Sequence, residues 1–446
     1  MKLSNWGNYP LIDTKFISVR TEAEVKASIN CTEYRIARGL GRCYGDSALN
    51  EVAVVSTQRF SHVLDFDPQS GVLVAEAGVS LASLVDDFAS RGFFPSVTPG
   101  TKFVTLGGAI AADVHGKNHH VAGSFCTYVQ WIDLLVADGR VIRCSRDIEP
   151  DLFHATCGGM GLTGIILRCA ITLSPLSSMW IRQESVKAAN LEEIMDCFEN
   201  SADWTYSVAW IDCLQRGDAL GRSIMLRGEH AIPHELPSGK RRVPFFVKPK
   251  LSVSVPVSFP GWVLNTGSVK AFNALYYVMA PRDTSASIIS LDNFFYPLDA
   301  VLHWNRIYGR RGFTQYQCVL PIEAAKEGLR MVLDTIAQSG QGSFLAVLKL
   351  FGKQARSRGN ISFPDEGYTL ALDFPMSRAL FPLLDRLDDI VHDCGGHLYL
   401  TKDVRMSAAA FKKGYGHLLE DFLSVKTRWD PENRFRSLQS IRLMGE

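Results

Sequence analysis

Strand-like and helix-like hydrophobic patterns alternate in the first third of the chain. Residues 72–77 alternate apolar and polar positions as a strand does, and Ser80 is placed to open an amphipathic helix that stops at Gly92. Runs rich in β-branched residues come next, separated by turn residues, at 132–137, 141–144 and 164–173. The pattern predicts a local strand–helix unit and a mixed sheet.

The pattern changes at about residue 178. Beyond this point longer strands alternate with fewer and longer helices, which are predicted at 191–200, 322–338 and 380–394. The change in element length predicts a domain boundary near residue 178.

Polar residues share one face of three predicted strands in this second part. Alternate residues of a strand point to the same side, which groups Gln315 with Gln317, Lys349 with Val347 and Phe351, and Asp373 with Thr369 and Ala371. Three such strands favour a sheet that lines a cavity. For Lys349 alone, a side chain that reaches solvent from an edge strand is an equally good interpretation.

Residues 98–125 combine a glycine turn, a run of small residues and a histidine cluster. Thr105 can cap a helix whose first turn holds Gly107 and Gly108. The missing side chains would let a pyrophosphate approach backbone N–H groups and the positive helix end. Alanines then leave room for a ring system, and the polar residues that could face it are Asp113, His115 and Lys117. The segment predicts a pocket for a flat, anionic cofactor.

Two further glycine clusters differ in spacing and in the element that each precedes. RGLGRCYGDSALN, at residues 38–50, forms a loop that can wrap phosphate oxygens with backbone amides, although its spacing is not GxGxxG. A true GxGxxG at Gly159, Gly161 and Gly164 precedes a strand-like run instead of the helix that a dinucleotide site requires. We therefore reject a Rossmann site there.

Composition excludes several classes of function. The 446 residues are 46% hydrophobic, which suffices for a sizeable core, and 47 Lys and Arg nearly balance 46 Asp and Glu, which gives no electrostatic case for nucleic acid. The ten cysteines lack metal-ligand spacing, and the N-terminus lacks a signal-peptide pattern. No apolar run is long enough to span a bilayer. We expect a cytosolic chain with reduced thiols, and peripheral membrane contact stays open.

Three features have both a functional and a structural interpretation. His115, His119 and His120 have no carboxylate or cysteine at a supporting spacing, so zinc is not expected. Lys402 comes after a β-like run from which it could reach a ligand or form a surface salt bridge. The stretch 240–259, KRRVPFFVKPKLSVSVPVSF, fits a flexible basic flap or an edge strand with a basic entry loop.

Segments in order along nearly the whole chain resemble one flavoprotein family. They are RGLGRCYGDSALN, PGTKFVTLGGAIAADVHGKNHHVAGSF, GGMGLTGII, YSVAWID, FTQYQ, FLAVLKLFG, YLTKDVR and WDPENRF. The chain is identified by them as a member of the FAD-binding oxidoreductases of the vanillyl-alcohol-oxidase, or PCMH, type. The resemblance implies a two-domain α+β fold. Residues 1–178 and the returning segment 397–446 would bind FAD, and residues 179–396 would form an antiparallel substrate-binding sheet over the flavin.

The resemblance assigns FAD contacts residue by residue. They fall on Arg38, Gly39, Leu40, Gly41, Arg42, Cys43, Tyr44, Gly45, Asp46, Gly100, Thr105, Leu106, Gly107, Gly108, Ala112, Asp113, Val114, His115, Ile166 and Tyr399. Many relatives attach the flavin covalently through a histidine in the first glycine loop. Arg42 and Cys43 occupy that neighbourhood here, so non-covalent FAD is expected.

The resemblance also implies a reaction. A sugar hydroxyl, expected to be the C2 hydroxyl of a polyprenyl-phosphate pentose, would be oxidised to a ketone as the flavin half of a 2′-epimerase. This epimerase makes an arabinose donor for the cell wall, and a separate NAD(P)H-dependent short-chain reductase would be the partner. Catalytic roles fall on Lys402, His115 and Tyr44, with Lys402 beside the reacting hydroxyl. Substrate contacts fall on Lys117, Trp210, Gln315, Gln317, Lys349, Thr369 and Phe295.

Three substrate-side positions depart from the family pattern. Ala371 replaces a cysteine, Thr369 an asparagine and Phe295 a tyrosine. Lost polar groups can change which sugar fits. Two alternatives are a sugar or aldonolactone oxidase with a soluble substrate, and a flavin-binding subunit without catalysis.

Overall fold

Two large antiparallel sheets organise the chain. A computed structural model describes residues 1–31, 33–248, 252–353 and 359–445. The strands are β1 Lys2–Leu3, β2 Ile12–Asp13, β3 Lys15–Ser18, β4 Ile36–Arg38, β5 Ala53–Ser56, β6 Val63–Asp67, β7 Val72–Glu76, β8 Phe93–Pro95, β9 Val129–Leu135, β10 Val141–Ser145, β11 Ile165–Pro175, β12 Trp180–Ala188, β13 Tyr206–Ile211, β14 Ser223–His230, β15 Val253–Ser254, β16 Ser285–Ser290, β17 Val301–Leu302, β18 Phe313–Leu320, β19 Ala346–Phe351, β20 Gly367–Pro375 and β21 His397–Leu398. The helices are α1 Glu22–Cys31, α2 Leu81–Phe88, α3 Leu106–Ala111, α4 His119–Ala122, α5 Pro150–Thr156, α6 Leu191–Glu199, α7 Ser238–Arg241, α8 Thr266–Met279, α9 Leu291–Phe295, α10 Ile322–Ser339, α11 Leu380–Asp393, α12 Ala408–Trp429 and α13 Leu438–Met444.

The first large sheet has the strand order β10-β9-β11-β7-β6, with β8 added on β11. The predicted strand–helix unit is confirmed: Ser80 caps α2 through its side chain, and Gly92 ends the following 3₁₀ turn in the left-handed region. The prediction of a mixed sheet is wrong, because β9, β10 and β11 all pair antiparallel. A tight turn at Gly139 joins β9 directly to β10, which makes the pair a hairpin. Parallel pairing occurs in a separate three-stranded sheet, β3-β5-β4.

The second large sheet has eight strands in the order β16-β12-β14-β13-β19-β20-β18-β21. The helices predicted in this region are observed as α6, α10 and α11, and their buried apolar residues join the core cluster beneath the sheet. Residues of β18 show why the sheet has two faces: Tyr316 and Cys318 belong to that core, whereas Gln315 and Gln317 point the other way. The free face is therefore available to line a site.

The end of the chain packs against its beginning. Arg35 N–H donates to the Arg434 carbonyl, and Leu438 N–H donates to the Leu49 carbonyl. However, β21, the first strand of the predicted returning segment, pairs with β18 of the eight-stranded sheet. The segment thus touches both parts of the molecule, and the division at residues 178 and 397 stays a prediction.

The stretch 240–259 contains the end of α7 and the two-residue strand β15, which pairs in parallel with β17. It is not an edge strand of either large sheet, and residues 249–251 within it lie outside the described residues. Over the described ranges, no helix combines the length and apolarity needed to cross a bilayer.

Candidate active site

Segments far apart in the chain enclose a cavity of about 430 Å³. One side, which we call the glycine wall, consists of residues 38–44 and 98–117. The opposite side, the sheet wall, consists of the free faces of β13, β18, β19 and β20 together with residues 399–402. A volume of this size is typical of small-molecule and cofactor sites. The prediction of a cavity-lining sheet is confirmed.

Most residues predicted to contact FAD line this cavity. These are Arg38, Gly39, Leu40, Gly41, Arg42, Cys43, Tyr44, Gly100, Thr105, Gly107, Gly108, Ala112, Val114, His115, Ile166 and Tyr399. The predicted substrate-side residues that line it are Lys117, Trp210, Phe295, Gln315, Gln317, Lys349 and Lys402. Predicted residues that do not line it are Gly45, Asp46, Leu106, Asp113 and Thr369.

The first glycine loop carries free hydrogen-bond donors. Within the described part of the chain, none of the amide N–H groups of residues 39–43 donates a hydrogen bond. The next amide, that of Tyr44, donates to the Thr401 carbonyl at 3.0 Å. Because unpaired backbone donors in a cavity require a partner, this loop is suited to hold an anion such as a phosphate.

The second glycine segment has a different role from the one its sequence indicates. Thr105 does cap α3, and its Oγ1 accepts a hydrogen bond from the Gly108 N–H. The amides of Leu106 and Gly107 donate to the carbonyls of Val79 and Ala77. The amide donors at the N-terminus of α3 are therefore already hydrogen-bonded within the protein, and the hypothesis that they hold a pyrophosphate is wrong. Gly107 instead permits close packing, since a Cβ there would lie 3.0 Å from the Ala77 Cβ.

Two predicted FAD-contacting carboxylates are structural. Asp113 accepts hydrogen bonds from the Ser124 hydroxyl at 2.9 Å, from the Ser362 hydroxyl at 2.6 Å and from the Cys126 N–H at 2.9 Å. Asp46 pairs with Arg442, and burial raises its pKa to about 6. Both side chains fasten the walls of the cavity and do not face into it.

A buried acid–base group lies on the sheet wall where β18 and β20 pair Gln315 with Asp373. Gln315 donates to the Asp373 carboxylate at 2.6 Å, and the Tyr308 hydroxyl donates to it at 3.3 Å. The Lys402 ammonium lies 4.0 Å from the centre of the Tyr44 ring. Burial raises the pKa of Asp373, and burial lowers the pKa of Lys402 although Asp373 opposes that change. Both groups can therefore exchange protons near neutral pH.

Two more lysines share the cavity. Burial, and then the charge of Lys402, lower the pKa of Lys349 to about 8. Burial, and then Lys349, lower the pKa of Lys117 to about 7, and its ammonium donates to the Phe294 carbonyl. Cations crowded together in a buried cavity are poorly stabilised without an anion, so a negatively charged ligand would be favoured here.

His115 connects the two walls. Gln317 donates to His115 Nε2 at 3.0 Å and to the Thr369 hydroxyl at 3.1 Å. Burial, and then Lys349, hold the pKa of His115 well below its usual range, so the ring stays neutral. Its Nδ1 is buried and has no partner among the described residues, which leaves it a free donor beside the cavity. Thr369 does not line the cavity, but it accepts a hydrogen bond from Gln317 and so helps to position that side chain.

The remaining predicted residues shape the cavity. The Trp210 indole N–H donates to the Phe344 carbonyl at 3.0 Å, and the Trp210 ring lines the cavity. Phe295 packs among aromatic rings, with its centroid 4.9 Å from that of Tyr206. His120 Nε2 donates to the Trp204 carbonyl at 2.8 Å, and no three metal-ligating side chains cluster within the described ranges.

Sequence reasoning missed Asp373 as a site residue. The strand signal placed it on the polar face, and an aspartate amid the apolar residues of β20 is itself unusual, because carboxylates are rarely buried without a partner. It also missed Trp6, Trp304 and Asp299, which reach the cavity from segments that carry no motif.

The cavity fits a flavin dinucleotide on the donors and shape it presents. Free amides at residues 39–43 suit a pyrophosphate, and small or apolar side chains such as Ala112, Val114 and Ile166 leave a flat apolar space beside them.

Comparisons with known proteins agree with this fit. A family model described as an FAD binding domain matches residues 14–145. Decaprenylphosphoryl-β-D-ribose oxidase of Mycolicibacterium smegmatis is 36% identical over 452 aligned positions, which cover 99% of this chain and 97% of that protein. An uncharacterized protein of Streptomyces coelicolor is 33% identical over 82% of this chain. L-Gulonolactone oxidase of Bos taurus is 27% identical over 44% of this chain. Similarity at this level along nearly its whole length shows that the chain belongs to the FAD-dependent oxidoreductase family that includes decaprenylphosphoryl-β-D-ribose oxidase.

Proposed function

We propose that this protein oxidises a secondary hydroxyl of a lipid-linked pentose to a ketone, most simply the C2 hydroxyl of a polyprenyl-phosphate sugar. The observation that carries the proposal is the pair of Asp373 and Lys402 on the sheet wall, opposite the glycine wall of the same cavity. The name of the M. smegmatis relative supports the substrate class.

The chain's own residues divide the work of the reaction. When bound, FAD supplies the acceptor for a hydride from the sugar carbon. Asp373 takes the hydroxyl proton, because its raised pKa makes it a base matched to neutral pH. Lys402 stabilises the negative charge that develops on the sugar oxygen, and Tyr44 holds the ammonium over its ring. Gln315 orients the Asp373 carboxylate.

We assign the free backbone amides of the glycine wall to FAD, and the lysines that line the cavity to the substrate. The free amides of residues 39–43 would hold the pyrophosphate, and residues 1–178 with 397–446 would form the FAD-binding part. Lys349 and Lys117 would meet the sugar phosphate, whose charge would return their pKa values towards normal. His115 and Gln317 would orient the sugar.

FAD is proposed to be bound without a covalent link. Arg42 stands over the Trp6 ring at 4.0 Å, and its guanidinium cannot form the bond that a histidine makes in many relatives. Precipitating the purified protein with acid should leave the yellow colour in solution. Colour retained in the washed pellet would contradict the assignment.

The wider role extends the same proposal. A ketone product needs a second enzyme to complete epimerisation, and we propose a separate NAD(P)H-dependent short-chain reductase as that partner. The product would serve synthesis of cell-wall arabinan in a bacterium. The protein would act on the cytoplasmic side of the membrane, in peripheral contact with it.

The decisive test is anaerobic mixing of the yellow protein with polyprenyl-phosphoribose, polyprenyl-phosphoarabinose and free aldonolactones, monitored through flavin absorbance. We expect the lipid-linked ribose to bleach the flavin fastest. Bleaching by an aldonolactone alone would favour a soluble substrate, which the partial match to L-gulonolactone oxidase makes the second candidate. No bleaching by any sugar would favour the non-catalytic subunit.

A further inference from the structure

An exposed apolar surface lies beside the site, on α8 and the segment before it. Trp262 and Met279 are each 75% exposed and Val278 is 71% exposed, although large apolar side chains normally avoid water when so many lie together. Phe272, Leu275, Tyr276 and Met279 match the spacing of one helix face and are all exposed. Val253 and Val257, in the preceding segment, are 66% and 65% exposed.

The same stretch concentrates positive charge. Between residues 240 and 282 the sequence has no Asp or Glu and seven cations, namely Lys240, Arg241, Arg242, Lys248, Lys250, Lys270 and Arg282. The whole chain has a net charge of +1, so this excess is local. Exposed aromatic and aliphatic side chains among cations are typical of surfaces that enter the headgroup region of a bilayer.

Helix α8 is firmly attached to the sheet behind it. Asn273 is buried and donates to Asp212 at 2.8 Å, and Val269 joins the core. Tyr276 packs against Trp210 with ring centres 4.8 Å apart, and Trp210 lines the cavity. The exposed face of α8 is therefore separated from the cavity only by the Trp210 side chain.

We propose that this surface, the basic apolar face, docks onto an anionic lipid bilayer. It is defined by Val253, Val257, Trp262, Leu275, Val278 and Met279 with the described cations of the stretch 240–282. Negative headgroups complement the cations, and the apolar side chains insert below them. A second copy of the chain is disfavoured as the occupant, because a two-fold contact would bring like charges together.

The docking gives the proposed reaction a route for its substrate, and this step rests on the proposed function. With the basic apolar face in the bilayer, a polyprenyl tail can stay among lipids while the sugar phosphate passes Trp210 into the cavity.

Flotation of the FAD-loaded protein with vesicles tests the docking without any turnover. We expect the protein to float with vesicles of phosphatidylcholine and phosphatidylglycerol, to bind pure phosphatidylcholine far less, and to be released by salt. The double variant Trp262→Ser, Met279→Ser should lower the bound fraction about tenfold or more. The matched control Val63→Ser, Leu64→Ser removes exposed apolar side chains from β6 and should float as the unchanged protein does.

Charge is tested separately by Lys270→Glu with Arg282→Glu, against Lys15→Glu with Lys412→Glu as the control. FAD content and bleaching by detergent-dispersed substrate should be unchanged in every variant. The docking would be overturned if the Trp262→Ser, Met279→Ser variant floated as well as its Val63→Ser, Leu64→Ser control. It would also be overturned if the unsubstituted protein did not bind anionic vesicles and instead dimerised or bound a protein partner. Flotation without bleaching by any sugar would sustain the docking and reject the proposed function.

Discussion

The two walls of the cavity are built in opposite ways. The glycine wall packs closely against its neighbours: a methyl group at Gly39 would overlap Thr105 Oγ1, and one at Gly107 would lie 3.0 Å from the Ala77 Cβ. The sheet wall carries charged side chains: Asp373 is buried, Lys349 and Lys402 are half-buried, and the environment shifts the pKa of each from its usual range.

The difference separates binding from chemistry. A wall of neutral backbone donors holds its ligand through shape and orientation, and it gains nothing from a proton. A wall of buried, mutually interacting charges can move a proton or stabilise a developing charge. Substitutions of the glycines on the glycine wall should therefore change FAD retention, and substitutions of the charged residues on the sheet wall should change the rate of flavin reduction.

The largest expected effect comes from Asp373→Asn. Loss of the base should slow flavin reduction by about 10³-fold with FAD still bound, since general bases contribute roughly 10²–10⁴-fold. In the unchanged protein, kcat/KM should fall as the pH drops through the raised pKa of Asp373 and as the pH rises through the lowered pKa of Lys402. The variant should lose the acidic limb of this profile.

Tyr308→Phe is the control for that prediction. The Tyr308 hydroxyl favours the charged carboxylate, so its loss should move the acidic limb to higher pH while the maximal rate changes little. An Asp373→Asn enzyme with the unchanged pH profile would remove Asp373 from proton transfer.

Lys402→Met comes next. It should lower the rate of flavin reduction by about 10²-fold, because a preorganised cation is lost where charge develops. The exposed Lys412→Met should be neutral. Stopped-flow absorbance with the lipid-linked sugar measures both, and normal bleaching by Lys402→Met would exclude the proposed role.

Gly39→Ala should act on the other wall. The added methyl group displaces Thr105, whose cap on α3 is worth about 1 kcal/mol. We expect weaker FAD retention and a lower melting temperature, with reduction of the FAD that remains bound nearly unchanged. Gly416→Ala, inside α12, should retain FAD fully and raise the melting temperature.

The smallest effect is expected from Ala371→Cys. Ala371 lines the cavity on β20, so a thiol there should react with an alkylating reagent and be protected by substrate. The change in kcat/KM should stay within about threefold, because one small side chain replaces another. Mass spectrometry of the labelled peptide gives the readout, and labelling that substrate leaves unaffected would place the sugar elsewhere.

Patterns with strict periodicity predicted the fold best. The alternation in β18, β19 and β20 placed Gln315, Gln317 and Lys349 on one cavity wall without any knowledge of their partners. Reasoning from a glycine turn located the phosphate donors wrongly, because the sequence does not show that Val79 and Ala77 carbonyls occupy the amides at the start of α3. The prediction that Asp113 and Asp46 face the cofactor failed for the same reason. Their carboxylates bind Ser362 and Arg442, which are distant in sequence.

The contacts that join early and late segments of the chain have a consequence for folding. The Tyr44 N–H donates to the Thr401 carbonyl, and Asp46 and Asp403 share Arg442. Contacts between residues so distant in sequence form slowly, because the long intervening segment must first be brought into place. We therefore expect the junction of the two cavity walls to be among the last parts of the fold to form.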